Sequence, residues 1–557
     1  MKRYDYFGNY DESNVNLITN YLKEMESAVE PYTSFGHPFF KGDYKFNYYE
    51  YLKQCTLNQE SMRVNDVYKY LAPLFQNMPN WLNPGTMINV IPPSNLAALA
   101  ASCFTSMYNP NLGQDTYSGL LLTAEMEVVK YISDLIGWDW KESYGTFTFG
   151  GKGTNLYGAK IALNKADPTV RTEGALRNKY FMVTSQTCHP CHFQVCDWIG
   201  IGSSNCLELP VMMDGRMDLV KAEDIISKKI EEGYIFIGYN LNGGSTNELT
   251  IDPIEDIYNM NLRIKRKYSL DYTPHIHVDT VLGWIGLFFN KYDFEKNELN
   301  IDERHLKRIK SLNNRVKQII YADSVGVDFH KTGFCTLTSS VIVLKNRKDY
   351  FTLNPAKEFP LEDLEFGKYN PFETTLELSR GGHGIISALV ALKCLGINGF
   401  QDLVGNLFSS SEFFREKLSE NNLVEIINKE TEGFATLFII KPKKYQSMTL
   451  NQIMALPDED IANIRDYNVN YGKYVLKQAV DGTNSFVFTS SRSYVVPGTT
   501  IRLGALKAYP MSIFLDYEQV NKIINEINLC IESYVKSENI NNIDISLPDN
   551  MVYGQKK

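Results

Sequence analysis

From about residue 144 onward, short apolar runs alternate with amphipathic stretches, and this alternation constrains the fold of the chain more than any other feature. Candidate strands fall at 146–149, 180–185, 234–239, 275–279, 324–328 and 336–344, with helical periodicity at 154–164, 222–231, 253–265 and 303–319 between them. Strands separated by helices predict an α/β unit with a largely parallel sheet, because parallel neighbours need a long crossover. Ligands of such sheets gather beyond the C-terminal strand ends, so the chemistry is expected just after each strand.

The flanking sequence is less regular. Residues 1–90 are rich in Tyr, Asn and Phe with patchy periodicity, and the turns at Asn83-Pro84-Gly85 and Pro92-Pro93 lead into an apolar helix at 96–107. Asp115 or Ser118 is a candidate cap for the next helix, and Gly137 its stop. Residues 347–373 form a long loop with Pro355, Pro360, Gly367 and Pro371, of a length that tends to be functional. Three units are expected: an N-terminal, helical, dimer-forming segment at 1–105, a large domain at 106–398, and a small α+β domain at 399–557.

Composition narrows the classes. With 557 residues, 44% hydrophobic and 22% charged, the chain is ordinary globular protein, and a formal net charge of -9 argues against nucleic acid as a partner. No apolar run approaches the roughly 18 residues that a membrane span needs. The start, Met1 to Asp5, does not read as a secretory leader, and nine cysteines do not read as a disulfide framework. A cytoplasmic setting is the expectation.

Four local patterns carry candidate chemistry. Lys331, preceded by His330 after the strand at 324–328, is an amine able to form an imine with an aldehyde. His275-Ile276-His277-Val278-Asp279 places two imidazoles and a carboxylate on one strand face, either as metal ligands or as a carboxylate facing a protonated ring nitrogen. Phe149-Gly150-Gly151-Lys152-Gly153-Thr154 is a strand, a glycine turn and a helix start, suited to a phosphate but lacking the nucleotide-loop spacing. Cys188-His189-Pro190-Cys191-His192 has the spacing of a c-type haem or a partial zinc site; in a third reading, His189 faces a planar cofactor.

The order of these patterns is more specific than any one of them. The glycine turn with Thr154, His189, Gly244-Ser245-Thr246 with Asp252-Pro253, Asp279 and then His330-Lys331 resembles the group II pyridoxal-phosphate-dependent amino-acid decarboxylases, over about residues 83–380. Thr374-Leu376-Glu377-Ser379-Arg380 is similar to a further stretch of that family. The resemblance implies a fold type I (aminotransferase-like) large domain, pyridoxal 5'-phosphate as cofactor, a homodimer, and an amino-acid substrate, with an aromatic one such as tyrosine mildly preferred. It implies Lys331 as the Schiff-base lysine, Asp279 against the pyridine nitrogen and His189 over the ring. Gly153 and Thr154 would hold the phosphate with Ser324 or His330 nearby, and Ser245 and Thr246 would line the cofactor. Tyr350 or Tyr369, in the 347–373 loop, would be the proton donor.

Two departures stand out. Asp328-Phe329-His330-Lys331 replaces the family's Asn-Pro-His-Lys, and an extra carboxylate near a phosphate is unfavourable unless it turns away or finds a cation. Thr280-Val281 follows Asp279 where small alanines are common. The alternatives are another pyridoxal reaction on this fold, such as a carbon–carbon lyase or aldehyde synthase, and a haem or zinc protein using Cys188, Cys191 and His192.

Overall fold

The computed structural model describes residues 7–42, 46–176, 178–429 and 431–536. The far ends of the first and last expected units, 1–6 and 537–557, lie outside the described residues. Twelve strands form two sheets: β1 Thr86–Met87, β2 Tyr144–Thr148, β3 Tyr180–Ser185, β4 Cys206–Leu209, β5 Ile235–Asn242, β6 His275–Asp279, β7 Ser324–Asp328, β8 Ser340–Leu344, β9 Val424–Ile426, β10 Thr436–Ile440, β11 Val487–Val495 and β12 Arg502–Ala508. The larger sheet runs β2-β8-β7-β6-β5-β3-β4. Its pairs from β7 across to β4 are parallel, and β8 alone runs against its two neighbours. The short strand β4 has no counterpart in the sequence reading, because Cys-Leu-Glu-Leu is too brief to show a period.

β7 and β8 are buried along their whole length, as helices on both faces of a central strand require. The helix Gly151–Ala166 packs across β5 to β8 and comes close enough to β6 that a Cβ on Gly158 would lie 2.7 Å from the His277 ring. Only glycine permits that approach. The helix Thr123–Ile136 ends at Gly137, whose φ of 92° is the left-handed stop expected there. Its start is not capped by Asp115 or Ser118; Asp115 is buried instead and accepts N–H groups from Gly367 and Tyr369, pinning the 347–373 loop.

The smaller sheet runs β1-β11-β12-β10-β9. β1 comes from the N-terminal segment, so residues 86–87 pack with the C-terminal strands rather than with their own unit. The helix His383–Ser419 crosses the expected boundary near 399, kinking at Gly396, where φ is 58°. By length and composition this helix could cross a membrane, which corrects the reading that no such run exists. Here Ile385, Ala388, Ala391, Phe400, Val404 and Phe408 are buried, and it packs against the helices Leu96–Tyr108, Thr123–Ile136 and Tyr517–Lys536.

Candidate active site

β5, β6 and β7 end at Asn242, Asp279 and Asp328, and all three line one cleft of about 140 Å³ together with His189, Asn155, Ser245, Thr246, His330 and Lys331. The cleft thus lies beyond the C-terminal ends of parallel strands. Its other wall is the first turn of the helix Gly151–Ala166, represented by Gly151 and Lys152. That turn leaves the N–H groups of Gly151 and Lys152 without helical partners, since the helix's first internal bonds begin at Gly153, whose N–H reaches the Gly150 carbonyl at 2.8 Å.

Lys331 is the centre of charge. Its Nζ lies 2.8 Å from Asp328 Oδ2, and Asp279 adds a second attraction. Burial by itself would lower the lysine pKa, but the two carboxylates outweigh it and raise it. Burial likewise works to raise the Asp328 pKa, and Lys331 and His330 reverse that, holding the carboxyl below its ordinary range. Its other oxygen accepts from Ser340 Oγ at 2.5 Å. The extra carboxylate has therefore found its cation, and it stands beside the glycine turn, where a Cβ on Gly151 would lie 2.8 Å from Asp328 Oδ2.

Asp279 is buried, which pushes its pKa up, with Lys331 and a hydrogen bond from Asn155 Nδ2 at 2.9 Å opposing. His189 reaches the mouth of the cleft, and its Nδ1 accepts from the Cys191 N–H at 3.2 Å. Desolvation and then the Lys331 charge pull its pKa below the usual imidazole value, so it is neutral at pH 7. Ser245 Oγ donates to Glu248 Oε2 at 3.0 Å, and Tyr494 of β11 donates to the other Glu248 oxygen at 2.7 Å. The smaller sheet thereby braces the turn that carries Ser245 and Thr246.

Five expected residues stand elsewhere. Gly153 turns its Cα toward Thr148, and Thr154 packs its hydroxyl on Gly326 while donating to the Gly151 carbonyl at 2.7 Å; the cleft wall is two residues earlier, at Gly151 and Lys152. Ser324 lies at the opposite, N-terminal end of β7, bonded to His275 and His277. Tyr350 and Tyr369 are buried in an aromatic cluster with Tyr144, where Tyr369 and Tyr144 hydroxyls are 3.1 Å apart. Neither lines the cleft in this chain. Asn155, which does line it, was signalled only by lying four residues, one helical turn, after Gly151.

The haem and zinc readings lose their geometry. His192 is buried with Nδ1 at 2.7 Å from the Asn240 amide, and Cys188 and Cys191 are thiols whose pKa burial raises. Among the described residues no three His, Cys, Asp or Glu side chains cluster as a metal site. Arg380 lies outside the cleft in a buried ion pair with Glu125, and its guanidinium also donates to Thr146, Leu112 and Phe147.

Residues 57–441 match the family model described as the pyridoxal-dependent decarboxylase conserved domain. Acidic amino acid decarboxylase GADL1 of Xenopus tropicalis is 22% identical over 356 residues, covering 63% of this chain and 63% of that protein. L-2,4-diaminobutyrate decarboxylase of Rhizobium meliloti is 23% identical over 385 residues, covering 68% of this chain and 70% of its own. The match thus spans less than two thirds of the frog protein's length. The fold is similar to that of mouse CSAD in apo form (TM-score 0.74, 15% identity, 92% of this chain and 99% of that one) and of Oryza sativa TDC with PLP and tryptamine (TM-score 0.74, 13% identity, 95% and 100%).

Proposed function

The chain belongs to the pyridoxal-dependent decarboxylase family, with pyridoxal 5'-phosphate as its cofactor, and we propose that it decarboxylates an L-amino acid with Lys331 as the amine that carries the cofactor. One observation supports this above the others: an amine and a carboxylate, Lys331 and Asp279, line the same cleft at the C-terminal edge of a parallel sheet. The residues fit the group. Gly151 presents bare backbone to the cleft, and the N–H groups of Gly151 and Lys152, without helical partners, are suited to a phosphate.

Bound pyridoxal phosphate supplies the electron sink for the pair left when carbon dioxide departs. In this reading Asp279 holds the proton on the ring nitrogen, because an adjacent anion favours the cationic form. His189, neutral, covers the ring face and does not begin as an acid. Ser245 and Thr246 form the wall opposite the glycine turn.

For the substrate we propose a side chain without negative charge, aromatic ones first. The lysines lining the cleft are Lys152, whose Nζ is bonded to Gln194, and Lys331, and no arginine lines it among the described residues. We propose a homodimer as well: Phe149, Leu337, Leu376 and Leu378 are large apolar residues left exposed on segments flanking the cleft, a pattern that marks an interface.

The test is a panel of L-amino acids scored for carbon dioxide and the matching amine, with Lys331→Ala as control and light scattering for the oligomer. Release by the wild type alone, strongest with an aromatic substrate, is the expected result. Equal release by wild type and K331A would defeat the assignment of Lys331.

A further inference from the structure

The His-x-His-x-Asp motif of β6 forms no cluster of three metal-ligating side chains among the described residues; both imidazoles are buried, and the proposed function uses neither. They belong to a chain of hydrogen bonds running from the protein surface to Asp279. Lys165 Nζ, ion-paired with Asp349 at 2.7 Å, lies 3.3 Å from His275 Nδ1. His275 Nε2 is 2.8 Å from Ser324 Oγ, which is 2.8 Å from His277 Nδ1. His277 Nε2 is 3.0 Å from Asn155 Oδ1, and Asn155 Nδ2 is 2.9 Å from Asp279 Oδ2.

Chemistry fixes the direction of every link. A carboxylate only accepts, so Asn155 must present its amide nitrogen to Asp279 and its oxygen to His277. His277 Nε2 must then carry the proton. Burial drives the pKa of both imidazoles far below the ordinary value, so each is neutral and carries one N–H. His277 Nδ1 is thus an acceptor and Ser324 donates to it. The serine oxygen accepts from His275 Nε2–H, which leaves His275 Nδ1 as an acceptor facing Lys165.

Asp323 also faces this nitrogen, at 3.8 Å, but that is beyond hydrogen-bond range and the same oxygen takes the Ile276 N–H at 2.8 Å. Lys165, which cannot accept, locks at the outer end the polarity that the Asp279 carboxylate requires at the inner end. Without it, His275 could move its proton to Nδ1 toward Asp323, and each link could reverse. The reversed chain turns the Asn155 oxygen toward the Asp279 carboxylate, a repulsive contact.

We infer that Lys165 is a positioning residue for the cofactor: through His275, Ser324, His277 and Asn155 it holds the Asp279 carboxylate ionised and aimed into the cleft. The inference rests on the reading that Asp279 meets the ring nitrogen. Lys165 touches neither cofactor nor substrate in that scheme and is reached only through the chain.

A cofactor analogue with carbon in place of the ring nitrogen separates the possibilities, because it cannot bond Asp279. The dissociation constants of pyridoxal phosphate and of this analogue are measured by absorbance titration for wild type, Asp279→Asn, Lys165→Met and Lys165→Arg, with thermal melts of each apoprotein as a folding check. Wild type should prefer the natural cofactor, D279N should lose the preference, and K165M should lose roughly tenfold of it, as outer hydrogen-bond partners of functional groups do. K165R keeps a donor and should recover most of it. Asp349→Asn, milder for folding, should shift the preference the same way by less. An unchanged preference in both K165M and D349N, with D279N defective, overturns the inference. An unchanged preference in D279N overturns instead the reading of Asp279 on which it rests.

Discussion

Asp328→Asn should tighten cofactor binding. The carboxylate of Asp328 stands against Gly151 at the helix start where the phosphate is proposed to sit, and it holds Lys331 as an ammonium ion at 2.8 Å. A phosphate about 6 Å from a carboxylate, at an effective dielectric near 20, meets a repulsion of roughly 3 kcal/mol per unit charge. The helix N-terminus offsets part of this. Halving the repulsion leaves about 1.4 kcal/mol, or roughly tenfold in Kd. A second effect has the same sign: without the Asp328 charge the Lys331 pKa falls, and more of the lysine is the free amine that an aldehyde needs. Asparagine keeps an oxygen for the Ser340 hydroxyl, so the site should remain packed. The assay is titration of apoprotein with pyridoxal phosphate, followed by absorbance, for wild type and D328N at pH 7.5. Binding by D328N no tighter than wild type would refute the reasoning.

Two further predictions concern stability. Glu125→Ala leaves the Arg380 guanidinium buried and strips an acceptor from the Phe147 N–H, bonded at 2.6 Å, so urea unfolding should show a loss of about 3–5 kcal/mol; a loss under about 1 kcal/mol would sink this account. Asp252 is buried, accepts N–H groups from Asn242 at 2.8 Å and Met217 at 3.2 Å, and burial lifts its pKa to about 6. Because the folded pKa exceeds the unfolded value, the native state holds the extra proton, and Asp252 costs stability as pH rises from about 4 to 6, by about 3 kcal/mol at 1.36 per unit. The unfolding free energy of wild type minus that of Asp252→Asn should fall by that amount over this window and stay level above it. Curves parallel throughout would exclude it.

Much of the sheet was legible because its signals are local. β3, β6 and β7 were bounded from their own residues, since apolar runs flanked by turns are read over five or six positions. The small C-terminal unit was less so. The expected boundary at 399 falls inside the helix His383–Ser419, which continues through its kink at Gly396 because tertiary packing holds both halves.

The same division holds in the site. Lys331, His189 and Asp279 were singled out by the resemblance, and all three line one cleft; each also follows or ends a strand, where a parallel sheet exposes its ligand-binding edge. Side-chain alternation also put His275, His277 and Asp279 on one face. What that face met was beyond the sequence: Asn155 lies 122 residues from His277, and Arg380 lies 255 from Glu125. Strand periodicity says which side a residue takes, but not which helix crosses there or how closely. Those are settled by the packing of the helix Gly151–Ala166 over β6, where Gly158 admits the His277 ring, and only then do Ser324 and Thr154 prove to serve the scaffold while Asn155 and Asp328 face the cleft.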